Sequence, residues 1–272
     1  MSSNSQNLDS ATWHSQGSAL YDVGCYQAAV AKFDKALSGD PDNWDAWIRR
    51  GYALQELKAY DIAIESFQSA LQIQPENSLA WHGLGIAQAM LARYEVALTS
   101  FENALQLDPN SPKVWYNHGN ALIRLNRYRE AVDSFDRAVE LKPGSHRAWY
   151  HRSTALASLR RYPEAIDSLE TAVTLKQDCY YAWNYRGLVL NKMQRYEEAL
   201  QSFEQALAYR RPNPNAWYGR AATYALQGNA AQAVENLRRA ITLSPNLYRI
   251  MAKTDPSFNL ICGDVGLQAL LR

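Results

Sequence analysis

The sequence predicts an all-α array of stacked helical hairpins, and three observations carry that prediction. A tryptophan recurs every 34 residues, at Trp13, Trp47, Trp81, Trp115, Trp149, Trp183 and Trp217. Within each period, apolar and small residues fall at intervals of three and four, in two runs separated by a short break. Helix breakers then close the unit, as Pro109 and Asn110 do in the third. Self-similarity at this spacing means that no unit buries its apolar face alone, so stacked neighbours share one continuous core.

The elements follow in order. Residues 1–9 are polar, with neither a basic start nor an apolar run, so they read as a disordered tail and not as a secretory leader. Seven tandem units follow over 10–43, 44–77, 78–111, 112–145, 146–179, 180–213 and 214–247, and with no linker among them they predict one elongated domain. In the third, Trp81, Leu84, Gly85 and Ala87 mark a first helix. After a break at Ala92 and Arg93, a second helix is marked by Tyr94, Ala97, Leu98, Phe101, Ala104, Leu105 and Leu107. Two alanine columns never vary, one from Ala29 to Ala233 and one from Ala36 to Ala240, each stepping by 34. Gly17, Gly51, Gly85, Gly119 and Gly187 are set to receive Phe33, Phe67, Phe101, Phe135 and Phe203, large against small. The fifth unit departs from this pattern with Ser153 and Leu169, and the seventh with Ala221 and Leu237, so looser packing is expected there while the period survives. Residues 248–272 begin like another first helix and then break at Thr254-Asp255-Pro256, with Asp255 an N-cap, and again at Gly263-Asp264. They predict a helical cap over the last unit.

These residues resemble the tetratricopeptide repeat, whose signature runs from Trp through Leu-Gly to later Ala, aromatic, Ala and Pro. The tryptophan-rich units with Arg-Tyr-x-Glu-Ala hairpins are similar to bacterial arrays, cyanobacterial ones in particular. The resemblance covers residues 10–247 and implies a right-handed superhelical solenoid of seven helix-turn-helix units. It further implies that first helices line a concave groove and bind an extended peptide or a partner helix, and it makes the tryptophans core residues.

At the groove positions acidic side chains fall only in the first two units, as Asp22, Asp45 and Glu56. Units four to six are basic, aromatic and amide-rich: Lys113, Tyr116, Asn117, Asn120 and Arg124, then Arg147, Tyr150 and His151, then Tyr181, Asn184, Tyr185 and Lys192. Amides reach a peptide backbone, cations its carboxylates, and tyrosines supply stiff contact area. The expected ligand is an acidic or carboxylate-bearing peptide segment of a partner protein, held for complex assembly. Two further readings stand beside it: a scaffold that self-associates, and an assembly factor for a membrane complex such as a photosynthetic one.

Other features have structural explanations. Arg93, Arg127, Arg161 and Arg195 fall at hairpin turns beside carboxylates and read as helix-end ion pairs. Arg50, Arg152, Arg186 and Arg220 are expected to lay their stems along aromatics with their heads in water. A net charge of +1 gives no global field that would gather nucleic acid or anionic membrane, so electrostatic recognition must be local. Three scattered cysteines make no disulfide frame, which suits a reducing, cytoplasmic setting. No apolar run is long enough to insert in a membrane. The five histidines have no metal-ligand spacing, and no nucleophile elbow, phosphate loop or dinucleotide fingerprint occurs, so neither catalysis, metal nor cofactor is expected.

Overall fold

The structure, a computed structural model, describes the backbone of residues 2–272 and the side chains from residue 9 onward; Met1 lies outside the described residues. Helix α1 spans Ser2–Asp22, so helix runs through most of the segment that the sequence marks as a tail. Residues 2–9 contain neither proline nor glycine, and nothing in them stops α1 from extending toward the N-terminus.

The chain divides into two compact units, Met1–Lys142 and Pro143–Arg272, where the unbroken period predicts one elongated domain. In an array whose units contact mainly their neighbours, a repeat period carries no information about how far compactness extends. The first unit pairs α1 with α2 (Tyr26–Gly39), α3 (Trp44–Glu56) with α4 (Tyr60–Ile73), α5 (Ser78–Met90) with α6 (Tyr94–Leu107), and α7 (Pro112–Arg124) with α8 (Tyr128–Leu141). The second pairs α9 (His146–Ser158) with α10 (Tyr162–Leu175), α11 (Tyr180–Lys192) with α12 (Tyr196–Tyr209), and α13 (Pro214–Leu226) with α14 (Ala230–Leu243). It ends in α15 (Pro245–Thr254), a 3-10 helix (Pro256–Ile261) and α16 (Val265–Leu271). Each unit is thus an all-α array of helix-turn-helix repeats, a solenoid fold.

Every hairpin turns through one residue in the left-handed region. Gly24 and Gly228 take it without strain, while Lys58, Ala92, Asn126, Arg160 and Gln194 adopt φ of 58 to 60°. The turn is held by backbone bonds of the helix-terminating type, as where Arg93 N–H donates to the Gln88 carbonyl at 2.9 Å. Asn43, Asn77, Ser145 and Asn213 cap first helices by accepting the N–H three residues on.

The core is built as the spacing requires. Both alanine columns are fully enclosed, and a Cβ added at Gly51, Gly85 or Gly187 would lie 2.5 to 2.7 Å from the ring of Phe67, Phe101 or Phe203. Phe67 is held from two sides, because Gly83 of the next hairpin approaches its ring as closely as Gly51 does. The tryptophans, expected in the core, are only half-buried. Their indole N–H is the reason: Trp47, Trp81 and Trp115 donate to the carbonyls of Pro41, Pro75 and Pro109 at 2.8 to 2.9 Å, and Trp149 and Trp183 to those of Pro143 and Gln177. The ring therefore sits at the rim, where it ties down the loop that precedes its helix.

The arginines beside them also differ from expectation. Their guanidinium groups stack on Trp47, Trp149, Trp183 and Trp217, yet the heads turn inward. Arg50, Arg152 and Arg186 donate to the buried hydroxyls of Ser66, Ser168 and Ser202 at 2.6 to 2.7 Å. Carboxylates at Asp34, Glu170 and Glu204 neutralise Arg50, Arg186 and Arg220. At the hairpin turns the ion pairs form, with Arg127, Arg161 and Arg195 each forked onto Glu130, Glu164 and Glu198, whereas Arg93 reaches back to Asp61 at 3.0 Å.

Candidate functional site

The first helices present the residues at the expected groove positions, and these fall in both units. In the first unit, α7 carries Lys113, Tyr116, Asn117, Asn120 and Arg124. Lys113 and Arg124 are exposed and pair with no carboxylate among the described residues, although Arg124 lies over the Tyr94 ring. Tyr116 meets Phe135 edge-on, with ring centroids 6.1 Å apart. Asn117 is committed to the fold, because its Nδ2 lies 2.9 Å from His82 Nε2 on α5. Burial, with the Lys113 charge nearby, pulls the His82 imidazole down to about 4, so His82 is the neutral partner of this bond at neutral pH.

Within the second unit, Tyr150 on α9 is the hub of an aromatic cluster. Its ring is edge-on to His151 at 5.1 Å, to Tyr181 at 4.8 Å and to Tyr185 at 5.8 Å. Tyr181 continues to Tyr180, whose ring lies under the Arg210 guanidinium. Burial raises the Tyr150 phenol and, together with a bond to the buried Cys179 thiol, the Tyr181 phenol, so both stay protonated. Burial also pulls His151 down to about 4, and the neighbouring Arg147 adds to that, so at neutral pH it is an uncharged ring and not a cation for a carboxylate. Arg147 and Lys192 are exposed and without a carboxylate partner among the described residues. Asn184, read from the sequence as facing a ligand, is buried: its Nδ2 donates to Asn213 Oδ1 at 3.3 Å, and Asn213 in turn caps α13. It stabilises the start of the next hairpin.

A cavity of about 610 Å³ opens beside the cluster. Tyr185 and Lys192 line it with Leu188, Tyr218 and Leu226, and Asp255 of the C-terminal cap closes it. Asp255 accepts from the Tyr218 hydroxyl at 2.7 Å and from Ser257 N–H at 2.9 Å. A carboxylate from the cap therefore reaches the later repeats, although none stands at their own groove positions. Read along the chain, Asp255 signals only a helix start, and the contact that turns it inward spans 37 residues. In the first unit Asp45 is taken up by Arg49 at 2.9 Å and faces His14, so the acidic positions there are partly neutralised. Among the described residues no group of three or more His, Cys, Asp or Glu is placed to hold a metal ion, and no helix is long and apolar enough to cross a membrane.

Sequence profiles of the tetratricopeptide repeat match residues 14–78, 116–180, 158–201 and 214–247, and a TPR repeat profile matches 93–126 and 187–228. No curated protein matches the chain. Among solved structures the chain is similar to YrrB, a TPR protein with an unusual peptide-binding site, at 26% identity over 70% of this chain and 98% of that one, with a TM-score of 0.59. A tetratricopeptide repeat protein from Parabacteroides merdae superposes with a TM-score of 0.67 at 18% identity, covering 93% of this chain and 98% of its own. PilF of Pseudomonas aeruginosa gives 0.65 at 19% identity, covering 78% and 97%. The last two share the fold.

Proposed function

The chain belongs to the tetratricopeptide-repeat family of protein–protein interaction scaffolds, and from that premise we propose that it is a non-enzymatic adaptor for an acidic peptide segment. The observation that carries this reading is the second unit's cluster: Tyr150, Tyr181 and Tyr185 form a stiff aromatic surface flanked by the unpaired Arg147 and Lys192. A carboxylate meeting such a cation gains a charge-assisted bond, while the tyrosines supply contact area at small cost in side-chain entropy. Lys113 and Arg124 offer the same chemistry on α7 of the first unit. That YrrB has a peptide-binding site supports a peptide as the ligand. Asn184 and Asn117 act as supports for the surface, and the ligand is read by the cations and phenols.

The test is fluorescence anisotropy of a labelled Glu-rich peptide against the full chain, in free-acid and C-terminally amidated forms. The double variant Arg147→Glu with Tyr150→Ala should weaken binding by about a hundredfold, and added salt should weaken the parent. Circular dichroism checks that helicity is kept. Equal binding by parent and variant would remove the assignment, and loss of affinity on amidation would place the terminal carboxylate in the site.

A further inference from the structure

The C-terminal cap does more than close the last hairpin. One face of α15 is buried through Tyr248 and Ala252, yet Leu247 and Ile250 stand 54% and 65% exposed, with Met251 beside them. Their spacing of three and four residues places them on a single stripe that points away from the core. Leu260 at 72% and Val265 at 79% continue the apolar exposure on the two following elements, the second of which packs against α15. A cap whose role is solubility needs a polar outer face, and this one exposes an apolar stripe beside Asn246, Lys253 and Thr254.

The charge is as uneven as the exposure. Between Glu235 and Asp255 the chain has no acid and four cations, Arg238, Arg239, Arg249 and Lys253. Arg239 is spent on Glu235 and on the Trp217 ring, whereas Arg238 and Lys253 are exposed and pair with no carboxylate among the described residues, and Arg249 is half-buried with its Nε enclosed. The nearby acids face other tasks, Asp255 bonding Tyr218 and Asp264 capping α16. Protruding leucine, isoleucine and methionine side chains on a helix that carries cations and no acid fit a flat anionic surface, and this stripe does not line the cavity described above. From this we propose that α15 docks the protein peripherally on an anionic lipid bilayer, its apolar stripe entering the headgroup boundary, with Lys253 and, from the adjoining α14, Arg238 meeting lipid phosphates. The field is local, as a chain of net charge +1 requires.

Vesicle flotation with the full chain tests this, using phosphatidylcholine vesicles with and without phosphatidylglycerol. The protein should float with the anionic vesicles only, and raised salt should lower the bound fraction. The variant carrying Leu247→Gln, Ile250→Gln and Met251→Gln should lose binding by about a hundredfold, and Lys253→Glu by about tenfold. All four side chains are exposed, so folding should persist, as a circular dichroism melt would verify. Failure of the parent to float, or flotation of the triple variant like the parent, overturns the proposal. So does a dimer in light scattering that the triple variant abolishes, which would assign the stripe to a second copy.

Discussion

Replacing Gly85 by alanine tests how tightly the hairpins are built. In an unobstructed helix the change would stabilise by about 0.5–1 kcal/mol, because alanine loses less backbone entropy than glycine. Here the new Cβ would lie 2.5, 2.7 and 3.1 Å from three ring atoms of Phe101, about 1 Å inside ordinary contact. Phe101 is 1% exposed with the His82 ring centred 6.1 Å away, so it has little room to retreat. Overpacking of this kind costs about 1–3 kcal/mol, and three close contacts put it at the upper end. The net expectation is a loss of about 2 kcal/mol, read as a lower urea midpoint with an unchanged slope. The chain itself points to the compensating change, since the positions equivalent to Gly85 and Phe101 hold Ser153 with Leu169 in one repeat and Ala221 with Leu237 in another. Gly85→Ala combined with Phe101→Leu should therefore be more stable than the sum of the single changes by about 1–2 kcal/mol. A Gly85→Ala variant as stable as the parent, or a double variant that is merely additive, would refute the reasoning.

Three further outcomes are expected. Ser202→Ala should destabilise by about 2 kcal/mol in urea melts, because it strips the acceptor from an Arg186 guanidinium whose side chain is only 13% exposed. Ala92→Gly should raise stability by about 1 kcal/mol, since φ at this turn is 58° and glycine adopts it without strain; a loss would show that the turn is not limiting. His82, His118 and His151 are each held near 4 by burial, below their ordinary 6.5, so the unfolded chain binds more protons between those values. Stability should be fully present above pH 6.5 and fall as the pH drops toward 4, and His151→Gln should shallow that slope in melting temperatures measured across the range.

The hairpins were legible because what specifies them is close in sequence. Trp81 to Leu107 shows two helical runs, and the structure has helices at Ser78–Met90 and Tyr94–Leu107 with the break where the pattern stops. Gly51 and Phe67, 16 residues apart, signalled their contact because the chain repeats it. The serine column at Ser66, Ser100, Ser134, Ser168 and Ser202 has the same period and could have been found the same way; what it lacked was an apparent reason, which is the arginine, histidine or glutamine that bonds it.

The candidate site was legible only in outline. Sequence position placed Tyr150, Tyr181 and Tyr185 on first helices, but not that their rings meet edge-on, nor that Asn184 is spent on Asn213 and Asn117 on His82. The tryptophan shows the division most plainly. Its spacing of 34 sets the period, the hairpin and the register of every neighbour, since all of these follow from local helical geometry. Its place at the rim, with its N–H on the preceding loop, depends on a fixed loop path, and Asp255 turns inward only because the cap folds back on α13. Periodicity specifies which residues share a face; which polar groups on that face are already satisfied is settled by partners brought together through packing.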